Sequence, residues 1–173
     1  MESKAQDGDA EAQFRLATIL GHGACPNRSR NESLRWLAKA ATAGHADAAF
    51  HLGQLYLNDG SLEQDLSVAA RFFRVAAHGG HRAAHHKLGV VLLWGAKSEN
   101  ERFEGLYWLG AAAGMGDGFS VASLGIIYAK GMHGIGQDIC LAIDWLESAA
   151  LLGFKDLQDH LQTLSDNHRE TCH

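Results

Sequence analysis

Apolar residues return along this chain at helical spacing, and the pattern as a whole returns every 36 residues. Leucines stand at Leu16, Leu52, Leu88 and Leu124, and a small residue follows each one: Ala17, Gly53, Gly89 and Gly125. Four positions before the leucine come Ala12, Ala48, Ala84 and Ser120. Four positions after it come Leu20, Tyr56, Leu92 and Tyr128. Within one unit Ala48, Leu52, Leu55 and Tyr56 fall at i, i+4, i+7 and i+8. That is the stripe of a 3.6-residue period, and it predicts an amphipathic helix.

A second series runs in phase with the first. Trp36, Phe72, Trp108 and Trp145 are each followed by an alanine pair: Ala40-Ala41, Ala76-Ala77, Ala112-Ala113 and Ala149-Ala150. Each unit then closes on glycine, at Gly44, Gly80, Gly116 and Gly153. The last step is one residue longer because the loop Gly131-Met132-His133-Gly134-Ile135-Gly136-Gln137-Asp138 carries an insertion. Each unit therefore reads as a first helix, a loop and a second helix, over about 9–44, 45–80, 81–116 and 117–153. Gly53 and its equivalents cost about 1 kcal/mol of helix propensity each, which a close approach between helices would offset. The aromatic series is expected to fill the space between the two helices.

Boundary residues agree with these limits. Ser29-Arg30-Asn31-Glu32 reads as a capping box before a second helix, with Asp65, Glu101 and Asp138 at the matching positions. Pro26 is expected in the preceding loop, and the closing glycines fit left-handed helix ends. Leu157, Leu161 and Leu164 continue a helical stripe, so 155–165 reads as a capping helix with a polar outer face, followed by a frayed tail over 166–173.

Composition narrows the class. The chain has 173 residues, 20 glycines, one proline and a formal net charge of -5. Many turns with almost no proline favour short helices over strands. The acidic balance argues against nucleic acid as the main partner. No apolar run approaches the roughly 18 residues of a membrane-spanning helix, and the first residues lack the apolar stretch of a signal peptide. The three cysteines, Cys25, Cys140 and Cys172, share no spacing and read as reduced thiols. Together these give an expected cytoplasmic location.

Ala, Leu-Gly, an aromatic, a glycine loop, Asp and then Trp-x-x-x-Ala-Ala-x-x-Gly resembles the Sel-one-like repeat family. Repeat two carries the pattern as Ala48, Leu52-Gly53, Tyr56, Asp65, Ala69, Phe72, Ala76-Ala77 and Gly80. Repeat four carries it as Leu124-Gly125, Tyr128, Gly131, Gly134-Ile135, Asp138, Ala142, Trp145, Ala149-Ala150 and Gly153. Ala17 departs from the pattern in repeat one, repeats one to three lack the Gly-x-Gly-Val loop, and no paired cysteines sit inside the repeats. The resemblance implies an all-α fold: a right-handed α-α superhelix of four helix-loop-helix repeats plus the C-terminal capping helix, one solenoid domain over 1–165. It also implies a non-catalytic adaptor that binds a protein or peptide on its concave face, with no cofactor.

In such an arrangement the first helices line the concave face. Offsets from the repeated leucine then give the partner-binding set Phe14, Phe50, Gln54, Leu57, Asn58, His86, Val90, Leu93, Trp94, Phe119, Ile126 and Lys130, with Thr18, His22, Asp47 and Ala129 beside them. An exposed apolar strip rimmed by polar groups marks an interaction surface. The expected assembly is a monomer or weak homodimer. A dedicated, immunity-type neutraliser of one effector protein is a special case of the same reading.

A rival from another class rests on histidine. Among 11 histidines, His78, His81, His85 and His86 cluster between repeats two and three. His81 and His85, four apart, have a spacing that can place two imidazoles on one metal, with His78 as a further candidate. No cysteine or carboxylate nearby in sequence completes a site, and no hydrolase or phosphate-loop motif is present. Gly114-Met115-Gly116-Asp117-Gly118 follows from repeat phase alone. The sequence reads as neither an enzyme nor a metalloprotein.

Overall fold

The computed structural model describes residues 2–21, 26–58 and 64–168, without the side chains of 26–29, 58, 160, 167 and 168. His22, Asn58 and Ser29, to which the sequence assigned contacts or a cap, have side chains outside that description. The helices are α1 (Glu2–Gln6), α2 (Ala10–Gly21), α3 (Pro26–Thr42), α4 (Ala46–Asn58), α5 (Leu66–His78), α6 (Arg82–Gly95), α7 (Glu99–Gly114), α8 (Gly118–Lys130), α9 (Ile139–Leu151) and α10 (Gln158–His168). Among the described residues there is no strand. By compactness the chain divides into two units, Met1–Ala84 and His85–His173. In unit 1, α2 packs on α3, α3 on α4 and α4 on α5; in unit 2, α8 packs on both α7 and α9, and α9 on α10.

Capping fixes where the helices begin and end. Asp65 accepts hydrogen bonds from the backbone N–H groups of Ser67 and Val68, and Asp138 does the same for Leu141. Each such cap is worth about 1 kcal/mol. Gly44, Gly80, Gly116 and Gly153 have φ of +87°, +85°, +84° and +98°, the left-handed turn that a Cβ would strain.

Several boundaries differ from the sequence reading. Pro26 is the first residue of α3 instead of a loop residue: its fixed φ and missing N–H suit the first helical turn. Ser29 consequently lies inside α3. Ser98, not Glu101, caps α7. Its hydroxyl accepts from the Glu101 N–H at 3.3 Å while the Glu101 carboxylate accepts from the Lys97 N–H at 2.6 Å. Helix α1 was not anticipated, yet it is in phase: Ala5 and Gly8 repeat Ala41 and Gly44, and Ala5 is buried against Ala12 and Leu16. Asp166, assigned to a frayed tail, lies in α10.

The helix pairs close on glycine. A Cβ on Gly53 would lie 2.7 Å from the Phe73 ring, one on Gly89 2.7 Å from Leu109 Cγ, and one on Gly125 2.8 Å from Leu146. Phe73, Leu109 and Leu146 are fully buried. Each follows directly after a residue of the aromatic series, and Phe72 and Trp145 themselves are only half-buried. The deepest position therefore belongs to the residue after the aromatic, the one that points at the glycine.

Cys140, near the start of α9, is disulfide-bonded. This corrects the reading of three reduced thiols, which rested on spacing along the chain; a disulfide needs only proximity in space. It also removes the cysteine support for a reducing, cytoplasmic location.

Two measurements check this packing. Gly89→Ala should lower stability by about 1–3 kcal/mol, because its Cβ meets both Leu109 and the Gly105 carbonyl. Gly110→Ala, on α7 with open space at its Cβ, should raise stability by about 0.5–1 kcal/mol. Thermal melts of the two variants should move in opposite directions. Thiol titration of the denatured, unreduced protein should find one free thiol per chain, rising to three after reduction.

Candidate functional site

The first helices carry the residues that the sequence pointed to, and the two units use them differently. In unit 1, Phe14 and Phe50 are half-buried between histidines. Phe14 stacks on His45 at 4.5 Å between ring centroids and faces His51 at 5.9 Å; Phe50 stacks on His81 at 4.0 Å and meets His51 at 6.3 Å. The two stacked pairs are repeats of each other, because Phe50 and His81 lie 36 residues after Phe14 and His45.

A carboxylate backs each stack. His45 Nε2 lies 2.9 Å from Glu11, and His81 Nε2 lies 3.7 Å from Asp47, the repeat equivalent of Glu11. His45 Nδ1 accepts the Ala48 N–H at 3.3 Å, so its Nε2 carries the hydrogen and donates to Glu11. That hydrogen bond, then Arg15, holds the Glu11 carboxyl below the usual carboxylate range. Phe14 and Phe50 thus serve largely to join successive repeats. Gln54 and Leu57, one turn and two turns further along α4, are half-buried.

Unit 2 has no phenylalanine at the third equivalent position. His86 stands there, and its Nδ1–H donates to the Ser120 hydroxyl at 2.8 Å, while that hydroxyl donates to the Asp117 carboxylate. Asp117 also caps α8 through the Ser120 N–H at 2.8 Å. The histidine, serine and aspartate do not form a nucleophilic triad. Catalysis would need the histidine to accept the serine proton, and here the serine gives it to the aspartate. Ser120 is also 0% exposed, out of a substrate's reach.

The remaining first-helix residues of unit 2 split between core and surface. Leu93, read from the sequence as part of the open strip, is 4% exposed and packs with Leu109, Leu124 and Ile127. Its offset from Leu88 places it toward the second helix. Ala129 is likewise buried, whereas Val90 and Ile126 are half-buried and Lys130 is exposed. Trp94 and Phe119 stand out at 64% and 67% exposed, Phe119 resting its edge against Phe154 at 5.3 Å.

The metal candidates do not converge. His81 faces Asp47 and Phe50, His85 lies edge-on to Trp108 at 5.3 Å, and His78 is exposed at the end of α5. Among the described residues no group of three or more His, Cys, Asp or Glu side chains could hold a metal ion. Among the same residues no helix is long and apolar enough to cross a membrane.

Sequence reasoning missed two exposed features of the second helices. Phe103 and Tyr107, one turn apart on α7, are 59% and 69% exposed; Ser67 and Arg71 hold those places in the preceding repeat, Cys140 and Asp144 in the following one. The basic side chains of α3 and α5 were also passed over. Comparing the repeats at positions outside the repeated motif would have exposed both.

Antiparallel helix pairs that recur every 36 residues and close on glycine define a helical-repeat protein. Four Sel1 repeats match the chain, at residues 10–45, 46–81, 82–117 and 120–154, and the chain belongs to the Sel1 repeat family. These limits run one residue or a few later than the sequence reading. The fold is similar to that of a protective antigen of uropathogenic Escherichia coli that displays an SLR fold: 28% identity, TM-score 0.71, covering 91% of this chain and 33% of that one. It is also similar to a Sel1 repeat protein from Oxalobacter formigenes, at 24% identity and TM-score 0.76, covering 96% of this chain and 48% of that one. The chain thus spans about a third and about a half of those proteins. A search of curated proteins found no match. Sel1 repeats generally form protein-interaction modules, and the fold is typically non-enzymatic.

The His86 relay sets a pH response. Burial, foremost, holds its imidazole below the usual range, with Asp117 pulling the other way and Lys87 adding to the depression. A base with a depressed folded-state pKa binds its proton more readily in the unfolded chain. Its stabilising contribution is complete above about pH 6.5 and is lost as pH falls toward the folded value. Melting temperature should therefore drop between about pH 7 and about pH 5, and His86→Gln should flatten part of that drop. Circular-dichroism melts across the range check it; parallel profiles would assign the acid loss to other groups.

Proposed function

We propose that the protein is a non-catalytic interaction module that holds a protein or peptide on its first-helix face, anchored in unit 2 by Trp94 and Phe119. The observation that carries this reading is that two large aromatic rings stay about two-thirds exposed. Their equivalents earlier in the chain are His22 and Asn58 for Trp94, and Glu11, Asp47 and Ala83 for Phe119. The repeat framework therefore does not require an aromatic at either place. Aromatics supply most of the binding energy in many interfaces at low entropic cost. Val90 and Ile126 continue the apolar surface, and Lys130 and His86 give it polar margins.

The test uses the protein as bait in lysate of its source organism, beside Trp94→Glu/Phe119→Glu. The expected result is a prey recovered by the wild type and lost from the still-helical double variant. Once that prey is purified, Trp94→Ala and Phe119→Ala should each weaken binding by about 2 kcal/mol, roughly thirtyfold, with little change in melting temperature. Equal recovery on both baits would place the partner elsewhere.

A further inference from the structure

We propose that the second helices of unit 1 form a cationic cleft that binds an acidic peptide segment carrying one apolar side chain. A cleft of about 520 Å³ lies between the C-terminal end of α3 and the outer face of α5. Arg71, Arg74 and His78 stand along it on α5, Thr42 closes it from α3, and Phe72 and Val75 provide an apolar floor. The Phe72 ring is fixed by stacking on Tyr56 at 5.8 Å, and Val75 remains 39% exposed.

The repeat does not explain these charges. Its framework needs only the alanines, the aromatic and the glycines. At the place of Arg71 the other repeats have Arg35, Tyr107 and Asp144; at the place of Arg74 they have Ala38, Gly110 and Glu147. In a chain of net charge -5, α3 and α5 together carry six Arg and Lys against one acid, Glu32. The second helices of unit 2 reverse this, with Glu99, Glu101, Glu104, Asp144 and Glu147 against Arg102. A local basic surface held against the net charge of the chain attracts anionic partners.

The chemistry of the cleft selects one kind of anion. Two guanidinium groups one turn apart suit carboxylates, which they can bind through paired N–H donors. An apolar floor under them asks for a side chain that a phosphate or sugar lacks. The volume suits a ligand of side-chain to short-peptide size. A nucleic-acid strand would need a longer basic track, and on this unit the first helices turn acidic at Glu11 and Asp47.

The experiment selects a phage-displayed library of random dodecapeptides on the full-length protein, on Arg71→Glu/Arg74→Glu, and on Trp94→Ala/Phe119→Ala. Arg71→Glu alone serves as a second variant, and melting curves confirm that each is folded. The expected result is enrichment of peptides that combine Asp or Glu with one apolar residue, on the wild type and on the Trp94/Phe119 variant alike. The same peptides should be lost from both arginine variants. A selected peptide should lose about tenfold or more in affinity with Arg71→Glu and weaken as salt is raised. Enrichment without acidic bias, retention by the folded arginine variants, or loss only with Trp94 and Phe119 would overturn the proposal. So would a failure to enrich any peptide, including one in which the protein instead retains RNA or anionic vesicles.

Discussion

In each of three successive helix pairs, a glycine on the first helix lies directly beneath a fully buried side chain of the second: Gly53 under Phe73, Gly89 under Leu109, Gly125 under Leu146. A Cβ at any of these glycines would enter that side chain, so the separation of the two helices is set by an absence. A mid-helix glycine costs about 1 kcal/mol of propensity. Burying a residue such as Phe73 or Leu109 returns about 1.5–3 kcal/mol. The close approach is therefore favourable only while the large side chain stays in place. The alanine pairs of the second helices and the left-handed glycines at their ends follow from the same geometry: they keep the contact face thin and turn the chain into the next first helix.

Because so few positions build the framework, the others are free to differ between repeats, and the chemistry of the molecule lies there. Phe14 and Phe50 stack on His45 and His81, each with a carboxylate at its back, so unit 1 repeats one polar-aromatic joint. In unit 2 a histidine replaces the phenylalanine, and Ser120 and Asp117 satisfy it through hydrogen bonds. Stacking tolerates a change of protonation; a buried relay that ends on a helix cap tolerates it less. Phe119, on the same helix as Ser120, is exposed and rests against Phe154.

Charge is partitioned in the same way. The second helices are basic in unit 1 and acidic in unit 2, although both are built on one repeated motif. Solvated charges on helix faces pointing away from the core cost little to place. Their arrangement is thus available for recognition without compromise to the fold, whereas a charge at a framework alanine would have to be buried unpaired.

The sequence alone determined the all-α repeat, its 36-residue step, the closing glycines and the Asp65 and Asp138 caps. These depend on contacts between residues near one another in the chain, so periodicity records them directly. It also named Trp94 and Phe119 among the exposed first-helix residues. Tertiary structure decided what periodicity leaves open. Leu93, read from the sequence as part of an open strip, lies in the core with Leu109, Leu124 and Ile127. Ser120 looked like a small framework residue and proved to be the middle of a buried relay. The Cys140 disulfide left no mark in the cysteine spacing, and the cleft between α3 and α5 is lined by Thr42 and, from the next repeat, by Arg71. Each of these depends on which side chains meet across helices, and helical spacing does not encode that.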